Sequence, residues 1–364
     1  MREINLGKNL TTLRRRTGMT QEQLAEYLGV SKSSVSKWET GYAYPDICFL
    51  PLLAALFHTS VDELLGYEPQ LTKEQIRRLY HELAAQMAQD AGKALERTRA
   101  LVKKYYSCFP FLYQMAILYM NHGMLFENRD EIIGEAYLLC RRIQEESEDS
   151  VLVKDAVHIE AQLLLLQGKY EQVLDLLGEE VKAIPQEGEL IGISYQSMGN
   201  QEKAAEVFQV CIYQHLLYLL QDSVNYVAMN LDQEAGKETL RRIQAVADLY
   251  QIDDLHFYTS IQISIIAALW AVRQGDWEKA EQEIEKAVSL AWKAKKEEKM
   301  ILHKDSYFDR IDPWLKNLDL GQMAPVDESV IKQGLLNGIA GQPEFERIKD
   351  RPRVRKALEK LRDM

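Results

Sequence analysis

The stretch that decides the fold is Ser31-Lys32-Ser33-Ser34-Val35-Ser36-Lys37-Trp38-Glu39. Ser31 is a good helix N-cap, because its hydroxyl can accept a hydrogen bond from a free backbone N–H of the first turn. Val35 and Trp38 then share one face of the predicted helix. The opposite face carries two cations, two hydroxyls and no carboxylate, at Lys32, Ser33, Ser36 and Lys37. Such a face fits the major groove and phosphates of DNA, although a solvated surface helix has the same pattern.

The neighbouring residues repeat these helix signals. Thr20 and Gln23 form a capping box, and Gly29 ends that helix at the position where a left-handed residue is favoured. A second capping box begins at Ser60. The spacing predicts five short helices in residues 1–66, two of which are separated by the short turn of a helix-turn-helix motif.

Residues 1–66 resemble the Cro and lambda-repressor type of helix-turn-helix, the XRE family of regulators. The resemblance covers many ordered positions, which makes it more specific than a single short motif. The matching residues are Leu13-Arg14, Gly18-Met19-Thr20-Gln21, Leu24-Ala25, Leu28-Gly29-Val30-Ser31, Val35-Ser36-Lys37-Trp38-Glu39, Gly41, Pro45 and Val61-Asp62-Glu63-Leu64-Leu65-Gly66.

The resemblance also implies roles for individual residues. Gln21 and Ser31 would touch phosphates. Arg14 and Glu39 match the inward-facing ion pair of the family, with two exposed charges as the alternative. The residues that would face base edges or the DNA backbone are Lys32, Ser33, Ser36 and Lys37.

Two positions depart from the family pattern. His58 stands where the family usually has glycine, so we expect a left-handed histidine at the end of the predicted helix from Asp46 to Phe57. Pro51 lies five residues after Asp46, where proline removes an N–H bond. We therefore expect this helix to begin irregularly near Ile47 and to become regular at Pro51.

The composition is that of a soluble, cytoplasmic protein with two or three domains in 364 residues. We expect no signal peptide and no membrane-spanning segment. The four cysteines are widely separated and show no zinc-ligand spacing, so we expect free thiols, no metal and no cofactor. The net charge is −11, yet residues 1–45 carry +3. This asymmetry fits a DNA-facing end joined to an acidic body.

The remainder of the chain predicts helical hairpins. Turn glycines occur at Gly168, Gly199 and Gly275, each with a small residue seven positions earlier. Small residues at these positions allow two helices to approach closely. The pattern resembles degenerate tetratricopeptide repeats, best matched over residues 157–211 and 264–291. An irregular helical bundle is the alternative.

These signals predict an all-α protein with a five-helix DNA-binding domain followed by a tetratricopeptide-like α-solenoid. The predicted divisions are a helix-turn-helix domain over 1–66, a linker over 67–72, repeats over 73–325 and capping helices over 326–364.

No catalytic motif was found, so an enzyme is not expected. Side-chain amides can grip a peptide backbone, since each supplies a donor and an acceptor. Candidate ligand-binding residues of this kind are Asn121, Asn225 and Asn230.

The resemblance implies a transcriptional regulator, and we expect it to bind a double-stranded DNA operator as a homodimer. Its repeats are expected to dimerise and to sense a short peptide. Candidate interface runs are 216–220 and 261–270, with burial inside the repeat array as the favoured alternative for either. The architecture resembles peptide-binding regulators of Gram-positive bacteria. The alternative is a constitutive repressor or an antitoxin-like protein whose repeats only dock a protein partner.

Overall fold

The N-terminal residues form five short helices, as predicted. The protein is described by a computed structural model that covers residues 5–67, 70–296 and 301–363, so residues 68–69 of the predicted linker lie outside the described residues. Thr20 and Ser60 each complete a capping box, and Gly29 and Gly66 end their helices in the left-handed conformation. The five helices are α1 (Leu6–Arg16), α2 (Gln21–Leu28), α3 (Lys32–Glu39), α4 (Phe49–Leu56) and α5 (Val61–Leu65).

The start of α4 is irregular, as predicted. Single-turn hydrogen bonds run from the Phe49 N–H to the Asp46 carbonyl at 2.9 Å and from the Leu50 N–H to the Ile47 carbonyl at 3.2 Å, and the regular helix begins at Phe49, two residues before the expected Pro51. Pro51 therefore falls in the first helical turn, where a backbone N–H has no intrahelical acceptor to lose. His58 adopts φ 50°, which confirms the expected left-handed histidine after the helix.

A single apolar core holds these five helices. Leu10, Leu24 and Val35 are completely buried and bring α1, α2 and α3 together, while Leu53 and Leu64 add α4 and α5. Every helix thus contributes at least one side chain to the same core. Since a short isolated helix is marginal in water, this shared packing is what stabilises the five helices.

The rest of the described chain is also helical. The β-pairing in the described residues is limited to an isolated bridge between Ile301 and Met323, so the all-α class is confirmed. The helices are α6 (Lys73–Gln89), α7 (Ala91–Lys104), α8 (Phe109–His122), α9 (Arg129–Glu146), α10 (Ser150–Leu166), α11 (Tyr170–Leu177), α12 (Glu187–Ser197), α13 (Gln201–Met229), α14 (Glu234–Leu249), α15 (Ile252–Leu255), α16 (Phe257–Arg273), α17 (Trp277–Lys296), α18 (Asp312–Asn317), α19 (Glu328–Ala340) and α20 (Pro352–Arg362).

The predicted hairpins are present at all three turn glycines. Gly168, Gly199 and Gly275 join α10 to α11, α12 to α13 and α16 to α17, and their φ values of 72°, 81° and 74° are left-handed. Gly192 shows why small residues precede the turns. A Cβ on Gly192 would stand 2.8 Å from the Phe208 ring, so any larger residue would push the paired helices apart.

The described chain divides into two units. Unit 1 comprises residues 1–72 and 101–111, and unit 2 comprises residues 73–100 and 112–364. Within unit 2, α6 holds a distant loop, because Arg77 donates to the carbonyls of Leu318 and Asp319 at 2.6 and 3.1 Å. Tyr80 likewise donates its hydroxyl to the carbonyl of Pro325 at 2.8 Å. These bonds fix the loop that follows α18 against the first helix of the unit.

Candidate nucleic-acid interface

Helix α3 is anchored in unit 1 through its inner face. Val35 and Trp38 are buried, and the Trp38 ring lies 5.6 Å from the ring of Phe49. At the N-terminus the Ser31 hydroxyl accepts from the Ser34 backbone N–H at 3.1 Å, which is the capping bond predicted from the sequence. The cap and the two buried side chains fix the rotation of α3, so its opposite face is presented in one orientation.

A charged pair secures the other end of α3. Arg14 donates from Nε to Glu39 Oε1 at 2.5 Å and from Nη2 to Oε2 at 2.9 Å. Its Nη1 also donates to the Met19 carbonyl at 2.7 Å. The Arg14 and Glu39 side chains are only 10% and 5% exposed. These bonds connect the end of α1, the turn before α2 and the last residue of α3.

Hydrogen bonding outweighs desolvation at this pair. Burial by itself would raise the pKa of Glu39, but hydrogen bonds from Arg14 and Gln21 hold that pKa below its ordinary value. The same hydrogen bond to Glu39 raises the pKa of Arg14. Both groups are therefore charged at neutral pH, and each carboxylate oxygen accepts at least one donor.

Gln21 takes part in this network. Its Nε2 donates to Glu39 Oε2 at 2.8 Å, and the residue is half-buried. The resemblance implied only a phosphate contact for Gln21. In the structure its side chain ties the first turn of α2 to the end of α3, and the phosphate contact stays a prediction.

The outer face of α3 carries the remaining predicted DNA contacts. Lys32, Ser33 and Lys37 are exposed, and Ser36 is half-buried beside them. Lys32 Nζ lies 3.4 Å from Glu22 Oε2 in an exposed ion pair, which is worth at most about 1 kcal/mol. Lys37 has no carboxylate within salt-bridge distance among the described residues. The face is therefore cationic and open to solvent.

Two exposed tyrosines after α3 were not among the predicted DNA contacts. Tyr42 and Tyr44 follow α3 directly, and Tyr42 is 88% exposed. A phenol hydroxyl can donate to a phosphate oxygen. The signal available in the sequence was the short aromatic segment between Gly41 and Pro45.

The three predicted ligand-binding asparagines do not converge. Asn121, in α8, donates its amide to the Tyr80 hydroxyl at 3.3 Å and lines a cavity of unit 2. Asn225 is exposed on α13, and Asn230 donates to the carbonyl of Tyr226 at the end of the same helix. Neither residue of α13 lines that cavity, so these three amides do not form one binding wall.

Comparison with known proteins agrees with this geometry. A family model described as "Helix-turn-helix" matches residues 10–64. The transcriptional regulator ImmR of Bacillus subtilis is 32% identical over 111 residues, which are 28% of this chain and 87% of ImmR. The chain belongs to the helix-turn-helix family. This assignment, in its XRE-type form, confirms the resemblance found in residues 1–66.

Other helix-turn-helix relatives match only in part. The activator BcrR of Enterococcus faecalis is 34% identical over 84 residues, and the regulator AnsR of B. subtilis is 43% identical over 67 residues. These matches cover 21% and 18% of this chain, and the chain spans only 41% of BcrR and 57% of AnsR. All three relatives are transcriptional regulators, in agreement with the prediction that this helix-turn-helix protein is not an enzyme.

Solved structures match over most of the chain at low similarity. The apo form of the competence regulator ComR from Streptococcus vestibularis is 15% identical, covers 87% of this chain and 98% of ComR, and gives a TM-score of 0.27. PlcR of Bacillus thuringiensis, solved in complex with the peptide PapR7 and DNA, is 14% identical, covers 99% of this chain and all of PlcR, and gives 0.23.

No helix in the described part of the chain is long and apolar enough to cross a membrane. Across the same residues, no three His, Cys, Asp or Glu side chains are grouped so that they could hold a metal ion.

Proposed function

We propose that this protein is a sequence-specific DNA-binding transcriptional regulator that reads the major groove with the outer face of α3. The observation that carries the proposal is the difference between the two faces of this helix, since one is buried and apolar and the other is exposed and cationic. Val35 and Trp38 hold the inner face in the core, whereas Lys32, Ser33 and Lys37 are exposed on the outer face. A rigid helix with exposed cations and hydroxyls has the donors that phosphates and base edges accept.

Selection of an operator tests this proposal. The full-length protein is incubated with a random duplex library, and bound DNA is amplified over several rounds. We expect a recurrent sequence whose affinity exceeds that of unrelated duplex by about 10³-fold or more. Equal affinity for selected and unrelated DNA would contradict the proposal. The predicted operator is double-stranded, so the same bases presented as a single strand serve as a control.

We further propose that unit 2 pairs two copies of the chain. A single small helix-turn-helix reads few base pairs, and pairing two recognition helices solves this problem. The two runs considered for the interface differ in exposure. Residues 261–270, in α16, are mostly buried in the core of unit 2, so we do not propose that they contact a second copy. Leu216 and Leu220 are also buried, and of that run only Tyr218 and Leu219 are exposed large apolar residues.

A larger apolar surface lies on α11 and α12. No apolar side chain between residues 165 and 203 is buried, and α11 has no buried residue at all. Monomeric proteins rarely expose so many neighbouring apolar side chains without a partner. We define the α11–α12 surface by the exposed apolar residues of the two helices and of the segment between them, Tyr170, Leu174, Leu177, Val181, Ile184, Leu190, Ile191 and Ile193. A second copy of the chain is the partner that we propose for it.

The alternative function is a constitutive repressor or antitoxin-like protein that uses the same surface to dock a different protein. Sedimentation of the full-length chain distinguishes pairing of two copies from docking of a different protein. A dimer at micromolar concentration supports pairing, and an obligate interface would bury roughly 2,000 Å² or more. A monomer, alone and on its operator, favours the docking alternative.

Sensing of a short peptide by unit 2 stays a prediction from the resemblance. Of the three asparagines proposed to hold a peptide backbone, Asn121 lines a cavity of unit 2, and Asn225 and Asn230 do not line that cavity.

A further inference from the structure

Unit 2 contains a cavity of about 600 Å³ between α8, α16 and α19. Pockets of about 300–1,000 Å³ are the size that binds a drug-sized molecule. Its walls come from residues far apart in sequence, from Asn121 to Gly338. Asn121 is linked through Tyr80 to the loop that follows α18. The Asn121 amide donates to the Tyr80 hydroxyl, and that hydroxyl donates to the Pro325 carbonyl. An occupant would therefore touch several elements that are already hydrogen-bonded to one another.

The cavity is open because two glycines face it on α19. Gly334 and Gly338 lie one helical turn apart in its wall, and a Cβ on either would meet no atom within 4 Å. Glycine costs roughly 1 kcal/mol relative to alanine inside a helix. Neither glycine has a positive φ, so the backbone does not require it. The space beside α19 is thus kept free at some cost to the helix.

The described residues that line this cavity carry almost no charge. None of them is Asp, Glu, Lys or Arg, and most are aliphatic or aromatic. Met124, Tyr258 and Met323 are each about half exposed at its wall, which gives the entrance an apolar surface. An ionised group placed here would lose its hydration without gaining a counter-ion.

A few polar groups are available inside the cavity. His256 accepts from the Thr259 backbone N–H through Nδ1, which leaves its Nε2–H as a donor. Burial lowers the pKa of His256 to about 4, so the ring is neutral at pH 7. The Gln262 amide has no hydrogen-bond partner among the described residues. A mainly apolar ligand could satisfy these groups with one or two hydrogen-bonding atoms.

We propose that this cavity binds an uncharged, mainly apolar small molecule. The charge pattern favours this class over a free peptide, because a peptide brings an ammonium and a carboxylate, and the described lining residues offer no counter-charge to either. The proposal goes beyond DNA reading and dimerisation, since neither the α3 face nor the α11–α12 surface takes part in the cavity.

Two fluorescent probes with the same ring system test the proposal on the full-length protein. N-phenyl-1-naphthylamine is neutral, and 8-anilino-1-naphthalenesulfonate adds one sulfonate to that skeleton. We expect the neutral probe to bind saturably at one site per chain. The sulfonate should bind there at least about tenfold more weakly.

Cavity-filling variants identify the site. Gly334→Leu fills the space without a backbone clash, and it should weaken the affinity for the neutral probe at least about tenfold. Gly338→Leu is a second variant, to be used if the first does not fold. The matched control is Gly134→Leu, at a helical glycine of α9 that also has open space and does not line the cavity. Circular dichroism verifies that each variant keeps its helix content. The proposal is overturned if both cavity variants bind the probe as the control does, or if the sulfonate binds as tightly as the neutral probe.

Discussion

Arg14 and Glu39 form a two-pronged, almost fully buried ion pair, with N–O distances of 2.5 and 2.9 Å between residues 25 positions apart. The pair links α1 to the last residue of α3, and Gln21 adds a third donor from α2. The contact therefore joins the three helices on which the orientation of the outer face of α3 depends. It lies on the side of α3 opposite Lys37.

Removing one member of this pair should destabilise unit 1. Glu39→Ala leaves the Arg14 guanidinium buried without a counter-ion, which costs about 3–5 kcal/mol. Hydrogen exchange of the amides in residues 6–65 measures the loss, and unit 2 should stay protected. The double variant with Arg14→Ala should lose less than the sum of the single changes. Glu22→Ala, at an exposed ion pair, is the control, and strictly additive small effects would refute the structural role.

Lysine substitutions on α3 test the DNA contact. Lys37→Ala should weaken operator binding by about 1–3 kcal/mol if the contact is to a base. A phosphate contact would instead reduce the slope of log affinity against log salt by about one unit. The control is Lys154→Ala, which removes the same charge from an exposed position on α10. If the double variant with Lys32→Ala kept both its affinity and its salt slope, the assignment of this face would be wrong.

Charge on the α11–α12 surface should disrupt pairing. Leu174→Glu and Leu190→Glu each place a carboxylate where the proposed interface buries an exposed leucine. We expect the dimer dissociation constant to rise at least about tenfold, with operator affinity falling in parallel. Sedimentation velocity over a concentration series measures this. The matched control is Leu138→Glu, at an exposed leucine of α9, and an equal effect there would mean that added charge alone weakens pairing.

Unit 2 should lose stability in mild acid through His256. The folded pKa is about 4, below the ordinary value near 6.5, because the ring is buried. The unfolded chain therefore binds more protons between these values, and stability falls as pH drops from about 6.5 to about 4. The loss is on the order of 2–3 kcal/mol.

Urea denaturation at several pH values, compared with His256→Asn, isolates this effect. Asparagine can still accept from the Thr259 N–H as an N-cap but does not titrate in this range. The variant should flatten the stability curve between pH 6.5 and 4. A curve that keeps its slope in His256→Asn would assign the acid sensitivity to other groups.

The features of the fold that the sequence predicted correctly are local ones. Thr20, Ser31 and Ser60 start helices because each side chain bonds a backbone N–H only three residues away. The turn glycines act locally too, since a left-handed residue ends a helix wherever it stands. The irregular start of α4 is local as well, since Asp46 accepts a hydrogen bond from the Cys48 backbone N–H two residues later.

Only the tertiary structure decides which apolar helical surfaces are buried and which are exposed. Residues 261–270 and α11 both read as apolar helix, yet the first is packed in the core and the second is uncovered. The second role of Gln21 depends on a carboxylate 18 positions away. The cavity is lined by residues that lie far apart in the sequence, from Asn121 to Gly338. Caps and turns are fixed by neighbours in the chain, whereas burial depends on which distant side chains arrive on the same face, and that is settled only when the helices pack.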